Sequence, residues 1–196
     1  MNEMIKMVVV LTVLSVISGG ALAYIQDSTT PLIEYNKLQF IKGPAIKSIL
    51  SGTSNDPIVD RFKIKEGDTE RSFFVGEYDG KPTAVAFESS GKGFGGDVGI
   101  VVGVDLDNDK ILGVGVTTHS ETPGVGSRAK TDPTFVAQFK GQSLENTFKV
   151  KADGGQVDAI GGATITSRAV ASALTDAGKV YQELKPEIIK KAQAFK

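Results

Sequence analysis

Twenty consecutive residues without a charge, Met7 to Gln26, stand six residues from the N-terminus of this 196-residue chain. The run is built of Val, Leu, Ile, Ala and Gly, and at about 1.5 Å per residue a helix of that length spans roughly 30 Å, the thickness of a bilayer core. Tyr24 falls where an interfacial aromatic sits. A cleaved signal peptide is the competing reading, because Ala21-Leu22-Ala23 has the small-x-small form of a cleavage site. The run exceeds a signal-peptide core, which favours a retained anchor; a buried core helix is disfavoured by length and position. The expected organisation is a cytoplasmic tip at 1–6, a transmembrane anchor at 7–26 and an extracytoplasmic domain at 27–196. Lys6 is the basic residue supporting that orientation.

Behind the apolar run, the polar stretch Gln26 to Pro31 reads as a linker. Leu32, Ile33, Tyr35, Leu38, Ile41, Ala45, Ile46 and Ile49 recur at helical spacing, interrupted near Gly43-Pro44. Strand alternation follows in Arg61 to Ile64 and Ser72 to Tyr78, and Asp79-Gly80 turns the chain into Thr83 to Glu88. Val98 to Val104 and Ile111 to Thr118 read as a hairpin around Asp105 to Lys110. Pro133 to Phe139 suits one or two helical turns, and Thr147 to Lys151 and Val157 to Ile160 read as short strands. From Val170 through Ala173, Leu174, Ala177, Val180, Tyr181 and Leu184 runs one apolar stripe, a helix capped by Thr166 or Ser167, with Pro186 starting a second piece that ends in Lys190, Lys191 and Lys196. The fold class is α+β: antiparallel strands with packed helices behind one membrane helix.

Composition removes several functions. With no cysteine the chain supplies no disulfide, thiolate zinc site or iron–sulfur ligand. His119 is the single histidine, so a multi-histidine metal site is excluded. A net charge of −1 argues against nucleic-acid binding. Gly91-Lys92-Gly93-Phe94-Gly95-Gly96 fits a dinucleotide loop by letters, but a strand follows where that loop needs a helix. The segment is either a flexible connection or a loop lying against a ligand ring. No nucleophile elbow accompanies Ser120, Ser167 and His119.

Chemistry concentrates in Asp158-Ala159-Ile160-Gly161-Gly162-Ala163-Thr164-Ile165-Thr166-Ser167-Arg168. Small residues admit a bulky group, a helix start attracts an anion, and two hydroxyls stand beside it. From these residues alone, a phosphate site and a glycine turn with a threonine cap are equal readings. Polar residues also crowd a strand end at His119-Ser120-Glu121-Thr122-Pro123-Gly124-Val125-Gly126, where a surface histidine and a turn-capping glutamate are the plain alternatives.

Asp158-x-x-Gly161-Gly162-Ala163-Thr164-x-Thr166 resembles the flavinylation motif of the FMN-binding domain family, with Gly161 standing where the family usually has Ser or Thr. Gly93-Phe94-Gly95-Gly96, then His119 to Gly126, then the threonine motif come in the order of one branch, the G subunits of Rnf electron-transport complexes. The C subunit of the sodium-pumping quinone reductase, which shares the fold and the flavin threonine, is the near alternative. The resemblance implies FMN joined through a phosphoester to Thr166 by a flavin transferase. It implies cofactor contacts at Thr164, Ala163, Gly162, Glu121 and Thr122, no catalytic residue and no metal. It also implies other membrane subunits as partners and electron relay coupled to ion movement. An anchored extracytoplasmic binding protein without cofactor remains the alternative from another class.

Overall fold

The computed structural model describes residues 2–67 and 69–195, so that Met1 and Lys196, the outer ends of the expected tip and domain, lie outside the described residues. The chain separates into two units, Met1–Phe40 and Ile41–Lys196.

In the first unit, helix α1 runs Asn2–Asn36 without a buried residue. Its most apolar window has a mean hydropathy of 2.3, and by length and composition the helix can cross a membrane. It continues through Gln26 to Pro31, where the sequence reads as a linker. Hydroxyls sustain it there: Thr29 and Thr30 donate to the carbonyls of Ile25 and Gln26, each at 2.7 Å. Pro31 removes only one amide from the ladder.

A π-helical turn, Lys37–Lys42, precedes α2, Gly43–Ile49, which has Pro44 in its first turn. The second unit is built on an antiparallel meander of five strands, β1 Arg61–Glu66, β2 Thr69–Tyr78, β3 Lys81–Lys92, β4 Asp97–Asp105 and β5 Ile111–Thr118, in spatial order β1-β2-β3-β4-β5. β4 is buried continuously from Ile100 to Val104, which explains its near-unbroken Val/Ile composition. One face of the sheet carries Ile46 and Leu50 from α2 and the segment after it. The other face is covered by α5, Thr164–Gln193. At Gly91 a Cβ would lie 2.0 Å from the Ala169 carbonyl oxygen, so only glycine lets α5 settle on β3 this closely. Phe62, Phe73, Phe87 and Tyr181 continue the core as a ladder of rings, with successive centroids 5.5, 5.2 and 6.5 Å apart.

Helix α5 is one piece. Pro186 does not begin a new helix, because Ile188 and Ala192 beyond it are fully buried in the same core and their packing outweighs one lost hydrogen bond. Its N-cap is Ala163, without a side-chain bond, in place of the expected Thr166 or Ser167. Both hydroxyls are committed elsewhere, as described below. Short helices α3, Arg128–Thr131, and α4, Pro133–Ala137, follow β5.

The expected strands at Thr147 to Lys151 and Val157 to Ile160 reduce to one parallel bridge, Val150 with Val157, and a 3-10 turn at Lys151–Asp153. Side chains take the place of a ladder. The Phe148 amide donates to Thr175 Oγ1 at 2.9 Å, the Asp158 amide to Gln138 Oε1 at 2.8 Å and the Ile160 amide to Ser167 Oγ at 2.9 Å. Thr175 and Ser167 of α5 and Gln138 at the end of α4 thereby hold the irregular segment in place.

Candidate functional site

Asp158 to Ala163 reaches the start of α5 as a fixed turn. Ser167 Oγ accepts from the Ile160 amide and donates to the Ala163 carbonyl at 3.0 Å, closing the turn onto the helix's first residues. Gly162, at φ +81°, supplies a left-handed step that an L side chain rarely adopts. Arg168 grips Asp153 through two bonds of 2.7 Å, and Lys151 pairs with Asp158 at 2.6 Å. The threonines therefore have a set position. Thr164 is half-buried, Ile165 is 45 % exposed and Thr166 turns inward, 2 % exposed.

From the opposite side comes the end of β5. Glu121 is buried, and its Oε2 accepts a short hydrogen bond from Thr166 Oγ1. Its Oε1 accepts from the Gly95 amide at 2.8 Å. Burial pushes the Glu121 carboxyl up, but the Thr166 hydroxyl, the Gly95 and Phe94 amides and the charge of His119 together outweigh it and hold the group below the usual range. The Glu121 amide donates to His119 Nδ1 at 3.3 Å. At Gly126 a Cβ would meet Glu121 Cβ, Glu121 Oε2 and Thr166 Oγ1, each at 2.7 Å, so the loop closes over the pair only because this residue is glycine.

Thr166, Thr164, Ala163, Gly162, Glu121 and Thr122, the six site residues named from the sequence, line one cleft of about 350 Å³. Phe94, Val125, Gly126 and Ile165 complete it. Phe94 is 74 % exposed and Val125 42 %, so with Ile165 they give the cleft an apolar rim above a polar floor. Clefts of similar volume lie beside Arg128 and Gln138 and beside Thr147 and Ser172, but neither joins a helix start, paired hydroxyls and an apolar rim. The glycine-rich loop is neither a loose connection nor a dinucleotide loop: Gly93 to Gly96 closes on itself, its amides cradle Glu121, and it presents Phe94 to the cleft. Phe94, Val125 and Ile165 were not singled out as site residues. The available signal was a large apolar residue set among glycines or hydroxyls and left exposed beside the motif.

These features have relatives. Residues 93–179, which include the loop, the segment after β5, the turn 158–163 and the first half of α5, match the family model described as the FMN-binding domain. The G subunit of an ion-translocating oxidoreductase complex from Cereibacter sphaeroides is 31 % identical over 183 residues, covering 89 % of this chain and 83 % of that protein. The chain belongs to this G-subunit family. Its Vibrio parahaemolyticus counterpart is 35 % identical over 122 residues, 59 % of this chain and 57 % of its own; over the first such relatives the chain spans about half of their length. Among solved structures, the C subunit of the Na(+)-translocating NADH-quinone reductase from Parabacteroides distasonis shares 31 % identity at a TM-score of 0.50, covering 59 % of this chain and 63 % of that one. Shewanella oneidensis NqrC shares 27 % at 0.52, covering 69 % and 70 %. The α+β domain of this G-subunit family member is thus of the kind seen in those two structures.

Proposed function

We propose that the chain is a membrane-anchored flavoprotein subunit that carries FMN on a phosphoester to Thr166 and relays electrons within an Rnf-type ion-translocating oxidoreductase complex. The observation that carries this reading is the meeting of Thr166, Thr164 and the first turn of α5 on the floor of an apolar-rimmed cleft, in a chain of the G-subunit family.

The residues present fit the cofactor. The first turn of α5 has amides without partners inside the helix and the positive end of its dipole, which suit a phosphate group. Thr166 offers the oxygen for attachment, and Thr164 a second hydroxyl beside it. Phe94, Val125 and Ile165 offer apolar surface to a planar ring. FMN bound there supplies reversible electron transfer; the protein fixes its position and its electrostatic surroundings. Glu121 and Thr122, on the β5 side, hold the loop that faces the cofactor.

Residues 7–26 are the proposed membrane span, with 1–6 cytoplasmic and 27–196 outside the cytoplasm. A flavin transferase is the maturation partner, and the other membrane subunits of the complex are the electron partners. The similarity to the two quinone-reductase structures supports a second reading, a place in a sodium-translocating quinone reductase. The larger shared length with the Cereibacter sphaeroides relative favours the first. Subunits that co-purify with the tagged protein decide between them.

Covalent attachment is tested by co-expression with a flavin transferase. The denatured protein should stay fluorescent in a gel, Thr166→Ala should be dark and Thr164→Ala should keep its flavin. Fluorescence retained in Thr166→Ala and lost in Thr164→Ala moves the attachment point. A dark wild-type band beside an active transferase refutes the linkage.

A further inference from the structure

The bond between Thr166 and Glu121 is aimed, not incidental. Glu121 Oε1 is held by the Gly95 amide at 2.8 Å, with the Phe94 amide also acting on the carboxylate. A carboxylate fixed by backbone amides cannot swing away without stranding them. Its second oxygen therefore stays directed at Thr166 Oγ1, which donates its proton to it. Gly126 seals the side of the pair that a Cβ would otherwise fill, and both groups still border the cleft. An alcohol whose proton already points at a held carboxylate, beside a cleft that admits a second reactant, is the arrangement of a nucleophile and its base.

We infer that Glu121 is the general base for flavin attachment, so that this protein supplies its own base to the reaction that modifies it; the inference rests on Thr166 being the attachment point. Direct condensation of FMN with a hydroxyl would release water and run uphill in water. The phosphorus must therefore arrive as an anhydride, for which FAD, the anhydride of FMN and AMP, is the probe. Thr166 Oγ1 forms a bond to the flavin-side phosphorus while the phosphorus–oxygen bond to AMP breaks, and AMP leaves with that electron pair. The Thr166 proton passes to Glu121 Oε2 and from there to solvent through the cleft. Nothing is oxidised or reduced.

A purely mechanical role, tying the β5 loop to α5, would use the same hydrogen bond without needing a proton acceptor. Glu121→Gln separates the two: it keeps the size and an oxygen for the Gly95 amide but cannot take up a proton. The full-length protein, made in a host lacking the transferase and held in detergent, is mixed with purified flavin transferase and FAD. Single-turnover flavin incorporation into the denatured band is then followed against pH. E121Q should slow incorporation by about 10²-fold at neutral pH. The wild-type rate should also fall on the acid side as Glu121 becomes protonated, a limb absent from E121Q; His119 is the neighbouring titratable group whose charge acts on Glu121. Incorporation into E121Q at the wild-type rate overturns the inference. Should E121Q not fold, E121D takes its place, with the acid limb kept but the rate reduced; an undiminished E121D rate overturns it equally. Failure of the attachment reading looks different: wild type takes no flavin, or Thr166→Ala takes it.

Discussion

Thr166 shows how much one residue's setting decides. As a helix cap it would have spent its hydroxyl on a backbone amide; instead it reaches across 45 residues of sequence to Glu121, and Ala163 takes the cap position without a side-chain bond. The sequence made Thr166 and Glu121 legible separately, one by a glycine–threonine turn and the other by a polar strand end. Their contact was not legible, because it depends on how α5 and β5 pack and no local spacing encodes it. Gly126 carries a sharp consequence. A methyl group there meets both partners at 2.7 Å, so Gly126→Ala should cost about 1–3 kcal/mol by forced displacement and sharply reduce flavin incorporation. Thermal melting and in-gel fluorescence check both effects; a variant that melts and incorporates like wild type contradicts so close an approach of Gly126 to the pair.

Among the elements, α5 was the most legible, since seven stripe positions at helical spacing leave little freedom. The five strands were legible too, through alternation and turn residues. The irregular segment 147–163 was not: Phe148, Val150, Val157 and Ile160 are buried, as strand residues would be, but in place of a ladder the Phe148 and Ile160 amides donate to the Thr175 and Ser167 hydroxyls of α5, while Val150 and Val157 bond to backbone within the segment. The β4–β5 turn is tied to α5 in the same way. Tyr181 Oη donates to Asp109 Oδ1 at 2.7 Å and Lys185 Nζ to Oδ2 at 2.6 Å. Burial raises the Asp109 carboxyl, but the bonds from Lys185 and Tyr181 overcome it and the group ends below its ordinary value; burial and Asp109 push Tyr181 well up. Tyr181→Phe should cost on the order of 1.5 kcal/mol, visible as a melting shift of about 3–6 °C. A group depressed in the folded state stabilises fully above its unfolded pKa of about 4 and loses that contribution as the pH falls through its folded value. Stability measured by urea unfolding should therefore fall below about pH 4, by less in Tyr181→Phe than in wild type.

Along the chain, a helix long and apolar enough to cross a membrane precedes the region that matches the FMN-binding domain. The apolar run was legible because it stays uncharged from Met7 to Gln26, long and apolar enough for a helix to cross a bilayer. The continuation of α1 to Asn36 was not, since polar residues that look like a linker stay helical through their own hydroxyl bonds. Full-length protein should remain in membranes after an alkaline wash and be released by detergent, and a reporter fused at the C-terminus should be active only outside the cytoplasm. Release by alkali, or a cytoplasmic reporter, contradicts that placement. Covalent flavin on Thr166 is open to peptide mass spectrometry. Trypsin cleavage after Lys151 and Arg168 isolates one peptide, residues 152–168, containing Thr164, Thr166 and Ser167. From cells with an active flavin transferase, this peptide should be heavier by FMN less one water, with fragment ions placing the added mass on Thr166. An unmodified peptide, or a mass confined to Thr164 or Ser167, would contradict it.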